Sequence, residues 1–172
     1  MRIKAVVIAA LAMLPFAGAR AQSNPCGKGC LVIFDWGEGG GAPNVDRIYG
    51  SPATMEAEFS KVLMDAGWQL VKGTTGASVT LTLRPVVLSG VRCDKMSGMN
   101  TDMSCHTVGR GTAMFASSDS LVEAPHRVEI VPRCSDPKGY PTFAEFGRFA
   151  GEMVVFQTAG GKGSRPAIRC RT

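Results

Sequence analysis

The segment CDKMSGMNTDMSCH, residues 93–106, holds the densest group of chemically capable side chains in the protein. Cys93 and Cys105 bracket Met96, Met99 and Met103, and His106 follows at once. Two chemistries compete for it. Three thioethers at MxxMxxxM spacing, with His106 reaching around the loop, form a soft-ligand set suited to Cu(I). Thioethers need no deprotonation and are not consumed by disulfide formation, so they suit an oxidising compartment. Alternatively, Cys93 and Cys105 bridge across a hairpin, and the methionines pack over the sheet end or form an adaptable contact surface. A disulfide-closed contact loop is the leading expectation and a copper site the second.

A hairpin in which Cys93 faces Cys105 sets Val91 against Thr107, Val87 against Gly111, Leu83 against Phe115 and Leu81 against Ser117. Opposed residues share a face, so the bridge joins the apolar side and Phe115 lies over Leu83. A bridge spanning that loop would add about 3 kcal/mol in the chain-entropy picture.

The other four cysteines are Cys26, Cys30, Cys134 and Cys170. Six cysteines in a secreted chain read as disulfides, with 15 possible connectivities. Cys26–Cys30 with Cys134–Cys170 is favoured narrowly over bridges that tie both termini to the sheet. The CxxxC spacing lacks the two-residue gap of the thioredoxin motif.

Other catalytic signatures are weak. GEGGG at residues 37–41 lacks the GxxxxGK[ST] pattern and is too far from the next helix cap to cradle phosphate. His106 and His126 are the two histidines, and neither HExxH nor GxSxG occurs. Two histidines and a lysine would serve a small secreted hydrolase, but no motif surrounds them. Asp35, Glu38 and Asp46 read as a solvated acidic loop. No catalytic residue is assigned.

Export is read from the amino terminus. Arg2 and Lys4 precede an apolar stretch at residues 5–19, and Ala19-Arg20-Ala21 offers a cleavage site after Ala21. The stretch is too short and, with Pro15, too broken for a span, and nothing later in the sequence reads as a transmembrane anchor. Residues 1–21 are therefore read as a secretory signal, 22–160 as one domain, and 161–172 as a basic, glycine-rich tail pinned by a disulfide. Losing Arg2, Lys4 and Arg20 takes the formal charge from +5 to +2, with 16 basic against 14 acidic residues. Four of those basic residues lie in the tail, so no broad basic face is expected and nucleic acid is not an expected partner.

The elements that must position these residues follow from periodicity. Residues 31–36 (LVIFDW) form a short apolar strand. Ser51 and Pro52 open a helix whose Met55, Phe59, Val62, Leu63 and Ala66 share one face, and Gly67 stops it. Residues 77–88 alternate: Ala77, Val79, Leu81, Leu83 and Val87 on one side, Ser78, Thr80, Thr82 and Arg84 on the other. Pro85 favours an edge or a bulge. Residues 111–117 and 127–131 are further strands. Thr142 and Glu145 form a capping box for a second helix, with Phe146, Phe149, Met153 and Phe156 on one face and Gly160-Gly161 at its end.

The fold class expected is α+β: a two-layer, disulfide-stabilised domain with two helices on one face of a mainly antiparallel sheet. Residues 59–85, FSKVLMDAGWQLVKGTTGASVTLTLRP, resemble the helix–strand unit of small bacterial cell-envelope domains such as the amino-terminal domain of TolB, where a helix ends near xxGW or xxGY and leads to a strand of the AxVTLxL kind. The resemblance implies an envelope location and no catalytic residue. The function expected is that of an exported, soluble, non-catalytic binding or envelope-accessory module, periplasmic or secreted, acting on a protein or envelope partner and needing no cofactor. Copper binding through Met96, Met99, Met103 and His106 is the first alternative, and a small secreted hydrolase the second.

Overall fold

The computed structural model describes residues 25–26, 29–37, 50–91, 105–117, 127–135 and 139–170. In chain order the elements are β1 (Cys30–Phe34), α1 (Pro52–Asp65), β2 (Leu70–Val71), β3 (Val79–Val91), β4 (Cys105–Ser117), β5 (Arg127–Ile130) and α2 (Phe143–Thr158). The five strands form one sheet in the order β2-β1-β3-β4-β5. The fold is α+β.

Both helices begin and end on local chemistry. Ser51 accepts from the Thr54 backbone N–H at 3.3 Å, and the Thr54 hydroxyl accepts from the Ser51 N–H at 3.1 Å. Thr142 and Glu145 make the same reciprocal pair at 3.1 and 2.7 Å. Each box satisfies helix-end donors that would otherwise lack partners. At the other end of α1, the Gly67 and Trp68 N–H groups donate to the Met64 and Leu63 carbonyls, a Schellman turn that needs the positive φ of Gly67 (+85°). Gly160 and Gly161 close α2 in the same way, on Gln157 and Phe156.

The sheet is mixed. β1 pairs in parallel with both β2 and β3, while β3, β4 and β5 are antiparallel and supply most of the ladder. The parallel part follows from α1, which stands between β1 and its partners and returns the chain to the end at which β1 began. The connection from β2 to β3, residues 72–78, is short for a parallel crossover. It rounds the start of β1 at Gly29, where a Cβ would lie 2.8 Å from the Gly76 carbonyl oxygen and from Val71 Cγ1. The Ser78 N–H donates to the Gly29 carbonyl at 2.9 Å, and its hydroxyl bonds the carbonyls of Cys26 and Gly29.

One face of the sheet is buried beneath both helices. Val79, Leu81 and Leu83 of β3, Ala113 and Phe115 of β4, and Val128 and Ile130 of β5 join Met55, Phe59 and Leu63 of α1 and Phe143, Phe146, Phe149 and Met153 of α2 in a single core. Phe34 meets Phe59 edge-on at 5.8 Å, and Trp68 lies 6.4 Å from Phe115. Each such large apolar side chain contributes about 1.5–3 kcal/mol by leaving water. Gly111 has a packing reason: a Cβ there would come within 3.2 Å of Phe146 Cζ.

The β3–β4 register differs from the one inferred from facing cysteines. Leu81 opposes Phe115, Leu83 opposes Ala113 and Pro85 opposes Gly111; Cys105 opposes Val91 rather than Cys93. Two irregularities interrupt the ladder, one on each strand, so they cancel and leave the overall register unchanged. Gly109 is left unmatched between the Val86 and Val87 pairs, and Gly90 between those of Ser89 and Val91. The first bulge returns Val108 to the buried face opposite Val87. Pro85 lies in a central strand, yet past the end of β1, whose last partner is Leu83. The Leu83 carbonyl accepts from the Asp35 N–H on the β1 side. Pro85, two residues on, turns its missing donor to that same vacant side.

Candidate contact surface

Opposed residues on paired strands point the same way, so the register sorts the face of the sheet that neither helix covers, uncovered among the described residues, into rows. Leu31, Thr80 and Ala116 form the first, and Ile33, Thr82, Met114 and Arg127 the second. Arg84, Thr112 and Glu129 form the third, extended by Asp35 beyond β1. Val86 and Arg110 form the fourth, with Val131 just past β5. The apolar members are substantially exposed: Ile33 is 42%, Met114 47% and Val131 49% accessible, and Val86 and Leu88 are also exposed. These apolar side chains alternate with Thr82 and Arg110 and are divided by the charged third row, so the face is a mixed apolar and polar surface of the kind non-obligate protein interfaces present.

Charges on the face are balanced and mostly paired. Asp35 accepts from Arg84 Nε at 2.8 Å and from the Gly37 backbone N–H at 2.9 Å. The Gly37 N–H foremost, and then the Arg84 guanidinium, hold the Asp35 carboxyl below its ordinary value near 3.8. Arg127 donates to Glu129 at 2.7 Å. At the rim, Trp36 Nε1 donates to Glu56 at 3.2 Å while its ring lies 6.5 Å from Phe143, which fixes the end of β1 over the start of α2.

The β3–β4 hairpin continues beyond its neighbours, since β1 ends opposite Leu83 and β5 opposite Gly111. The projecting part is anchored near its loop end. Thr107 is fully buried and donates to the Pro141 carbonyl at 2.6 Å, in the segment that leads into α2. Leu88 lies over Gly109, where a Cβ would sit 2.3 Å from Leu88 Cδ1.

Among the described residues two cysteine pairs are joined. Cys26 and Cys30 are bonded with Cα atoms 4.9 Å apart, and Cys134 and Cys170 with Cα atoms 5.5 Å apart. The first pair sits in the core at the start of β1; the second ties the chain after α2 to the segment after β5. Met96, Met99, Met103 and Cys93 lie outside the described residues, as do His126, Glu38 and Asp46. Cys105 and His106 are placed by their backbones, opposite Val91 and Ser89, and their side chains lie outside the described residues. Among the described residues no three His, Cys, Asp or Glu side chains come together as a metal-ligand set.

No protein-family model matches this chain, and neither a characterised protein nor a solved structure matches it.

The surface therefore has to be read from its own chemistry. The polar side of β3, with Thr80, Thr82 and Arg84, follows from the alternation expected of that strand. The exposure of Ile33, Val86, Leu88, Met114 and Val131 does not. The signal was present in Val86 and Leu88, which break the polar half of the β3 alternation, and in Met114, which falls between the inward Ala113 and Phe115.

Proposed function

We propose that this protein is a non-catalytic binding module of an oxidising compartment, periplasmic or secreted, which engages a protein or envelope partner through the uncovered face of its sheet. The observation that carries this reading is the number of large apolar side chains left exposed, Ile33, Val86, Leu88, Met114 and Val131, on a sheet whose other face holds a fully built core. A face with nothing to contact gains little from five accessible large apolar side chains. Its charges support a protein surface over a phosphate backbone: Arg84 and Arg127 are each engaged by a carboxylate, which leaves no basic stripe. Two disulfides fit a compartment that maintains them. Among the described residues no helix is long and apolar enough to cross a membrane.

The test is a photo-activatable crosslinker placed at Met114 in the native host. A discrete adduct with one envelope or secreted component is expected. The pair Ile33→Lys and Val86→Lys should reduce it about tenfold, since desolvating two new charges costs well over the 1.4 kcal/mol that a decade represents. Thermal stability should change little, because both positions are exposed. Absence of any discrete adduct from Met114, or an adduct indifferent to both lysines, would remove this face as the contact surface.

A further inference from the structure

β5 is the last strand of the sheet, and among the described residues no backbone group pairs with its outer side. The direction of its backbone groups follows from the register. In an antiparallel pair, opposed residues either exchange hydrogen bonds or both turn away. The Leu83 carbonyl is bonded to Asp35, on the β1 side. Leu83 and Ala113 thus turn away from each other, and Ala113 exchanges bonds with Val128. The residues on either side of Val128, Arg127 and Glu129, present their N–H and C=O groups outward. Their side chains lie on the uncovered face, 63% and 58% accessible.

We infer that β5 is a self-pairing edge, and that the protein forms a two-fold dimer by antiparallel β5–β5 addition with Arg127 of each copy opposite Glu129 of the other. Only outward-facing residues can oppose one another across such a seam, which leaves few registers. Centring the axis on Arg127 opposes two arginines, and centring it on Glu129 opposes two glutamates. Centring it on Val128 opposes Arg127 with Glu129 twice, because a two-fold axis repeats every contact. The sequence Arg127-Val128-Glu129 is complementary to itself when reversed. That register makes both outward residues of each strand part of hydrogen-bonded pairs, giving four backbone hydrogen bonds, and sets Val128 against Val128 on the core side.

The intrachain Arg127–Glu129 pair is exposed and contributes little by itself. On dimerisation it is exchanged for two cross-strand pairs at no cost in charge. An axis perpendicular to the sheet keeps both uncovered faces on the same side, so the dimer presents the two faces next to each other. The seam is short, so the association is concentration-dependent and weaker than that of large obligate interfaces.

Sedimentation velocity of the exported protein, from micromolar to millimolar concentration, tests this. The wild type should show a reversible monomer–dimer equilibrium. Glu129→Arg converts both cross-strand pairs to like-charge pairs and should raise the dissociation constant about tenfold. The swap Arg127→Glu with Glu129→Arg restores complementarity and should recover the wild-type constant. Glu129→Pro removes an outward N–H without touching the β4 ladder, and should give a folded monomer by circular dichroism. A wild type that stays monomeric at millimolar concentration overturns the inference. So does a dimer that ignores Glu129→Arg, or a charge swap that fails to restore association.

Discussion

Asp35 sits where β1 has ended and β3 continues, and its two partners come from different places. Gly37 is a near neighbour in sequence, while Arg84 is reached only because β1 and β3 are paired. Both lower the carboxyl pKa, so the folded state releases this proton more readily than the unfolded chain. The stability that results is present above the unfolded value, near 3.8, and disappears as the pH falls through the lower folded value. Asp35→Asn should therefore be less stable than wild type at neutral pH, and the two unfolding curves should converge at strongly acidic pH. Denaturant titrations across that range check this; a gap that widens on acidification would contradict it. At this scale the sequence placed Asp35 in an acidic loop with Glu38 and Asp46. Its partner Arg84 was assigned correctly to the polar face of β3, but nothing local links two residues that far apart in the chain.

Helix boundaries were legible because their signals act within a turn. Ser51-Pro52, Thr142 with Glu145, Gly67 and Gly160 stand at the ends of α1 and α2 where their chemistry requires. The approach of the two helices was not legible. Gly147 and Gly151 lie in the middle of α2, where propensity alone disfavours glycine. A Cβ at Gly147 would be 2.3 Å from the Met55 carbonyl oxygen, and one at Gly151 would be 2.8 Å from Val62 Cβ. The pair lets the α2 backbone rest directly on α1, with Arg148 donating to Glu58 at the rim at 3.0 Å. Gly147→Ala gains up to about 1 kcal/mol of helix propensity but meets backbone that cannot step aside. The net expectation is a loss of about 1–3 kcal/mol, read as a lowered denaturation midpoint. Gly151→Ala meets a side chain at closest approach and should lose less. A stabilised Gly147→Ala variant would show that the helices can separate without cost.

Among the described residues the molecule is a sheet with both helices on one side and two disulfide staples. Cys26–Cys30 closes a separation of 4 residues and Cys134–Cys170 one of 36. Loop-closure entropy scales with the logarithm of that separation, so the staples differ. In the chain-entropy picture, replacing Cys134 and Cys170 by alanine should cost about 4 kcal/mol and replacing Cys26 and Cys30 about 2 kcal/mol. Chemical denaturation of the two double variants checks the ordering. The longer bridge also holds Ile168 against the core and keeps the segment carrying Lys162, Arg165 and Arg169 beside the fold. Equal losses from the two variants would mean that the chain after α2 stays docked through packing alone.

What the sequence determined by itself was which side of each strand is buried and where each helix starts and stops. Alternation along β3 and capping at Ser51 and Thr142 act over two to four residues, and no distant contact is needed to read them. Tertiary structure alone decided the strand order, the parallel pairing of β1, the β3–β4 register and the close helix contact at Gly147. The register shows why. A slip of two residues leaves every side chain on its original face, so the hydrophobic pattern accepts Leu81 opposite Phe115 as readily as Leu83. The observed choice sets Phe146 over Gly111, and the bulges at Gly109 and Gly90, one on each strand, cancel without altering it. The uncovered face was decided in the same way: both helices pack on one side of the sheet, and the apolar residues left on the other side become a surface.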